Sequence, residues 1–230
     1  MEIKKTIIKL SDKLNIEEIP FLRGAVMALA GNQEGFHNHN QDSTDIYRYP
    51  KIQYKIIDEC PAVVGINDYA SDLETLFRQD ERYILKIGNR KIDFEIVEKS
   101  TTYETLINRT SGIKNYLIKN WLPLNQDNFK VYSKLDRLAD KVSELDRILV
   151  GNILSFHLGF DVIFPPEVEI EAYIKEIKSI KTALYKGLKM ICLDVVIATD
   201  VNLPLYLGLG KGVSRGYGVI YPSTSHTLGA

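Results

Sequence analysis

The stretch Leu205-Tyr-Leu-Gly-Leu-Gly-Lys-Gly-Val-Ser-Arg-Gly-Tyr-Gly-Val-Ile220 carries glycines at 208, 210, 212, 216 and 218. No regular helix runs through such a density of glycine, because each one gives up backbone entropy with no side chain to pack in return. The cluster suggests special dihedrals or a close approach of something to the backbone. Two cations, Lys211 and Arg215, sit among them, and no acid follows Asp200. Bare backbone N–H groups beside Lys and Arg make an anion site, most simply for phosphate. Nucleotide-binding loops do not fit. Lys211 is followed by Gly212 rather than Ser or Thr, and no three of the glycines have dinucleotide-fingerprint spacing. The plainer alternative is a glycine-rich turn that tightens two strands.

The chain has 230 residues, 45% hydrophobic and 26% charged, with a net charge of −1. That suits one large or two small globular domains. The near-neutral total argues against an indiscriminate polyanion binder, but the charge is uneven. Residues 47–56 hold Arg48, Lys51 and Lys55 and no acid; residues 173–189 hold five lysines and one glutamate. Local patches matter more than the total for nucleic-acid binding. No stretch reaches the roughly 18 apolar residues of a membrane helix, and the first residues do not read as a signal peptide. Cys60 and Cys192 form no CxxC and read as two thiols of a reducing compartment. A cytoplasmic location and no membrane partner are expected.

Along the chain, 6–10 reads as a strand and 17–30 as a helix that Gly31-Asn32 ends. A polar loop follows, then alternating strands over 49–57 and 62–66, with Tyr54 inward and Lys51 and Lys55 on an exposed face. Ser71 is the expected N-cap of a helix, with Glu74 completing a capping box. Residues 83–87 and 91–97 form a hairpin around Gly88-Asn89. The order β-α-β-β-α-β plus one strand is the ferredoxin-like arrangement of RNA-recognition modules. The second half repeats it loosely: strands over 113–122 and 129–135, a long helix over 135–158, then strands over 168–180 and 189–200. The glycine-rich stretch and a last short strand complete it. The fold class expected is α+β, two tandem ferredoxin-like domains with antiparallel sheets. The boundary falls near 100–112, giving domains 1–105 and 106–230.

Two further stretches could carry chemistry. His37-Asn38-His39 places two imidazoles in a loop after the first helix. Histidine titrates near pH 6.5, so one can accept a proton while the other donates one. The competing readings are two zinc ligands, which lack a third at useful spacing, and a plain solvated loop. Tyr47-Arg-Tyr-Pro-Lys51 interleaves aromatics with cations, which suits base stacking with phosphate contact, or simply a strand core. His157, at the apolar end of the long helix, reads as a core or boundary residue.

Taken together, Asn202 to Ile220 resembles the C-terminal glycine-rich signature of CRISPR-associated endoribonucleases of the RAMP superfamily, which process precursor CRISPR RNA. Lys186 to Asp194 resembles the strand that precedes it. His37-x-His39 followed by Tyr47-Arg-Tyr-Pro-Lys-Ile-Gln53 resembles one branch of that family. The resemblance implies metal-independent cleavage within repeat RNA, without a cofactor, by the two histidines, assisted by Tyr47 and Lys51. It implies an N-terminal catalytic domain and a C-terminal domain with an RNA-binding glycine loop. RNA contacts are expected from Arg48, Lys55, Gly208, Gly210, Lys211, Gly212, Ser214, Arg215, Gly216 and Gly218. The partners implied are repeat RNA and, further, other subunits of a CRISPR effector complex or a second copy of the chain. The alternative is a non-catalytic RNA-holding subunit, in which His-x-His would be idle.

Overall fold

A computed structural model describes residues 1–31, 49–106, 110 and 112–223. The chain divides into two compact units: residues 1–106 with 212–216, and 107–211 with 217–230.

The N-terminal unit is a five-stranded sheet in the order β2-β3-β1-β5-β4, with every neighbouring pair antiparallel. β1 (Glu2–Leu10) lies at its centre and is longer than expected. Lysines at its start belong to the strand because each finds an acid. Lys4 pairs with Glu74 at 2.8 Å, and Lys5 pairs with Glu104 of the neighbouring strand. α1 (Ile19–Ala30) has Pro20 in its first turn, where the missing N–H costs nothing. A single 3-10 turn, Ile16–Glu18, leads into it, and there Asn15 and Glu18 form a capping box. Gly31, at φ +63, closes the helix.

β2 (Ile52–Ile57) and β3 (Cys60–Ile66) form a hairpin through Asp58 and Glu59, both at positive φ. α2 (Asp68–Leu76) starts earlier than expected, with Asn67 at its N-cap. The expected Ser71–Glu74 capping box is overturned because both side chains turn to the sheet. Lys4 Nζ donates to Ser71 Oγ, and Glu74 accepts from Lys4 and from the Thr6 and Thr101 hydroxyls. β4 (Arg82–Ile87) and β5 (Arg90–Thr105) meet at Gly88-Asn89. β5 takes in Ser100-Thr-Thr, within the 100–112 stretch where the boundary was expected. These residues pair with β1, and the Thr6 and Thr101 hydroxyls lie 2.9 Å apart. α1 and α2 cover one sheet face, where Ile8, Leu22, Val26, Tyr54, Val63, Leu73 and Phe94 form the core.

The C-terminal unit has the sheet order β7-β8-β6-β9, again antiparallel throughout. β6 (Lys114–Trp121) is followed by α3 (Gln126–Tyr132), where a strand had been expected. Asn125 decides the matter: its Oδ1 accepts the Asn128 N–H at 2.8 Å, an N-cap bond that nucleates a helix. α4 (Leu138–Leu158) lays Leu145, Ile148, Leu149 and Ile153 against the sheet. β7 (Ala172–Tyr185) and β8 (Leu188–Thr199) turn through Lys186 at φ +51 and Gly187 at φ +80. Positive φ at both turn residues is what a type I′ two-residue hairpin turn requires. Two register shifts interrupt β7, so its alternation in sequence is imperfect. β9 (Val219–Pro222) closes the sheet. In both units the second and third strands lie on one side of the first and the last strand lies on the other. This is the ferredoxin-like arrangement twice over, with the glycine-rich lobe standing where the second unit would carry its second helix.

Candidate functional site

The lobe explains its glycines one by one. Gly210, Gly212, Gly216 and Gly218 all have positive φ. A Cβ on Gly218 would sit 1.9 Å from Leu209 O, and one on Gly210 would sit 2.7 Å from both Trp121 Nε1 and Asn152 Oδ1. Trp121 Nε1 in turn donates to Asn152 Oδ1 at 3.0 Å, so β6 and α4 together form the seat of Gly210. The arms of the lobe zip together: Leu209 N–H donates to Gly218 O, Ile220 N–H to Leu207 O and Tyr206 N–H to Ile220 O.

This corrects the picture of bare amides. The N–H groups of Leu209, Lys211, Arg215 and Gly218 are all committed to backbone carbonyls. Gly208, Gly212, Gly216 and Gly218 are buried and shape the lobe, while Gly210, Lys211, Ser214 and Arg215 keep partial exposure. The lobe is also split. Gly208, Gly210, Lys211 and Gly218 belong to the C-terminal unit, and Gly212, Ser214, Arg215 and Gly216 to the N-terminal one. There the 3-10 turn Val213–Arg215 packs on β2 and α1, and a Cβ on Gly216 would meet Ile19 at 3.4 Å.

On β2, Tyr54 enters the core as expected; Lys51, just before the strand, is half-buried. Lys55 overturns the expectation of an exposed cation. It lies opposite Ala62 on the face away from α1 and α2, and both it and Gln53 are fully buried. Its Nζ has no hydrogen-bond partner among the described residues. Burial pushes the amine down to about 7. An ammonium with no exposed surface offers an RNA phosphate no contact in this conformation. His37, His39, Tyr47 and Arg48 lie outside the described residues. Their segment leaves α1 at Gly31 and rejoins the described chain at Tyr49, just before β2.

The sequence reading missed a cluster on the C-terminal unit. The Tyr185 ring, at the end of β7, has Lys211 Nζ at 5.7 Å and Lys186 Nζ at 6.0 Å from its centroid. Tyr217 meets the same ring edge-on at 5.8 Å. Lys119 lies 4.8 Å from the Tyr221 centroid, and Tyr206 braces that ring at 5.5 Å. The Tyr-Lys-Gly run at the hairpin turn was the available signal. His157 is buried as expected, its Nδ1 2.9 Å from Ile153 O, and burial lowers its pKa. A groove of about 660 Å³ between α1 and the β4–β5 turn is lined by Lys86 and by Arg90, which is paired with Glu18. Among the described residues no helix is long and apolar enough to cross a membrane.

Two ferredoxin-like units and a glycine-rich lobe, with family matches over both units, place the chain in the RAMP class of CRISPR-associated proteins. A solved type IV Cas6 CRISPR RNA endonuclease, Csf5, shares this fold at 12% identity and TM-score 0.59, over 96% of this chain and 99% of that one. Within the class the chain belongs to the Cas6b family. Its residues 1–105 match the Cas6b N-terminal domain, and 109–223 match the Cas6b C-terminal domain. A crystal structure of Cas6b aligns at 28% identity and TM-score 0.82, covering 96% of this chain and all (100%) of that one. A second, described as the CRISPR RNA processing endoribonuclease Cas6b, aligns at 25% identity and TM-score 0.69, over 96% and 98%. The uncharacterized protein MJ0978 of Methanocaldococcus jannaschii is 36% identical over 108 residues, 47% of this chain and 71% of that protein.

Proposed function

We propose that this chain is an endoribonuclease that cuts precursor CRISPR RNA within its repeats by metal-independent general acid–base catalysis. The observation that carries the reading is Cas6b family membership across both units, in a chain that also holds His37-x-His39 a few residues after α1 in sequence. The ribose 2′-oxygen attacks the scissile phosphorus as one histidine takes its proton. The bond from phosphorus to the 5′-oxygen breaks as the other histidine protonates that oxygen. The products are a 2′,3′-cyclic phosphate and a 5′-hydroxyl. Tyr47 and Lys51 assist, close in sequence to the histidines, and the N-terminal unit is the catalytic one. Lys211 and Arg215, with Arg48, hold the RNA backbone through charge, so affinity falls as salt rises. The work is cytoplasmic.

His37→Ala and His39→Ala test the assignment. Each is expected to slow single-turnover cleavage by about 10²–10⁴-fold, the usual share of one well-placed acid or base. RNA affinity should stay within about threefold of wild type, as for a group that acts in the transition state rather than in binding. Wild-type cleavage by both variants places the chemistry elsewhere. Binding by the wild-type protein without any cut product makes the chain an RNA-holding subunit instead.

A further inference from the structure

We propose that Tyr185, flanked by Lys186 and Lys211, is a stacking site for one unpaired RNA nucleotide. The proposal rests on the RNA-processing reading above and adds a contact to it. The geometry is specific. Two ammonium groups, at 5.7 and 6.0 Å, share one tyrosine ring, and among the described residues neither has a carboxylate partner. Two like charges drawn to one ring repel each other, and the ring quadrupole only partly offsets this. A phosphodiester set beside the ring would relieve both, while its base would lie on the aromatic face. A nucleotide supplies that combination of a flat π-surface and a nearby anion.

The ring is held in place. Tyr217, itself buried, braces it edge-on at 5.8 Å, and Tyr185 remains partly exposed. The Lys186-Gly187 turn fixes where Lys186 leaves the strand, and the backbone bond from Lys211 N–H to Leu122 O fixes the other cation. Strand pairing puts Tyr185 on the sheet face opposite α4. Tyr185 aligns with Leu188, and the alternate pairs run inward through Ala183–Met190 and Lys181–Cys192. Trp121, which meets α4 through Asn152, pairs with Leu193 on the other face. Tyr221 with Lys119 repeats the aromatic–cation pair on the same helix-free face, near the opposite edge. RNA-recognition modules of this topology stack bases on the corresponding face.

Two variants test it, with a fluorescein-labelled 12-nucleotide oligouridylate and the repeat RNA of the chain's own locus as probes. Tyr185→Leu keeps an apolar side chain and removes the ring. It should weaken RNA binding by about 5- to 150-fold, the worth of one base–aromatic stack, while Tyr185→Trp retains wild-type affinity. A 2-aminopurine walked through the repeat RNA should be quenched by stacking at one position in the wild type and not in Tyr185→Leu. Lys186→Ala, on an exposed side chain, should lower the log–log salt slope by about 1 and leave that quench in place. If wild-type protein binds and cuts its repeat RNA while Tyr185→Leu matches it in affinity and quench, the stacking site is wrong and the RNA-processing reading stands. If the wild type binds neither probe, both fall.

Discussion

Replacing Lys55 by Met should stabilise the protein in a pH-dependent way. Lys55 Nζ is buried with no hydrogen-bond partner among the described residues, and burial brings its pKa to about 7 from an ordinary 10.5. The folded value lies below the unfolded one, so between 7 and 10.5 the unfolded chain holds a proton that the native state has given up. Stability from this group therefore rises with pH through that window and levels off below pH 7, where both states are protonated. At about 1.4 kcal/mol per pH unit, the buried amine costs the fold about 5 kcal/mol at pH 7 and below, and close to nothing at pH 10.5. Met fills a similar volume with no charge, at a packing cost under about 1.5 kcal/mol. Lys55→Met should thus gain about 3–5 kcal/mol at pH 7, and the gain should shrink by about 1.4 kcal/mol for each pH unit above that. Urea unfolding of both proteins at several pH values between 6 and 10 measures it. A difference that does not change with pH, or a loss of stability at pH 7, refutes the buried, unpartnered amine.

Two glycines should respond in opposite senses in urea midpoints taken at constant m. Gly218→Ala, at φ +68 and with a methyl 1.9 Å from Leu209 O, should cost about 3 kcal/mol or more. Gly24→Ala, in mid-helix with nothing within 4 Å, should gain about 0.5–1 kcal/mol. Glu74 is held below the ordinary 4.5, first by the hydrogen bond from Lys4 and then by that from Thr101. Its contribution is present above 4.5 and lost as pH falls through the folded value. Glu74→Gln should therefore narrow the loss of thermal stability between pH 5 and 3, by less than about 1 kcal/mol because the pair is partly exposed. A wild-type acid profile in that variant counts against it.

The ferredoxin-like order was legible because its strands alternate cleanly and its turns carry the residues they need. Gly88-Asn89 and Lys186-Gly187 fall where hairpins turn, and Tyr54 sits in the core that its alternation assigned to it. Where the reading failed, a tertiary partner outweighed the local pattern. Alternation sent Lys55 to the outside, but β2 is covered on both faces, so polarity no longer marks exposure. Phe129 and Val131 alternate like strand residues, yet the Asn125 cap starts a helix and leaves both exposed. Ser71 and Glu74 have capping spacing, but Lys4 and two threonines recruit them to the sheet. The role of the lobe was legible in its glycines. That Trp121 and Asn152 form its seat was not, because nothing in sequence links β6 to α4. Tyr185 escaped notice for a similar reason: its second cation, Lys211, arrives from the lobe.

The central claim concerns RNA, and the ends of the cut RNA test it most directly. End-labelled repeat RNA from the chain's own locus would be incubated with the wild-type protein in EDTA and the products analysed for their termini. The account predicts one cut within the repeat, leaving a 2′,3′-cyclic phosphate upstream and a 5′-hydroxyl downstream. Intact RNA in EDTA, or products with 5′-phosphate ends, would contradict it.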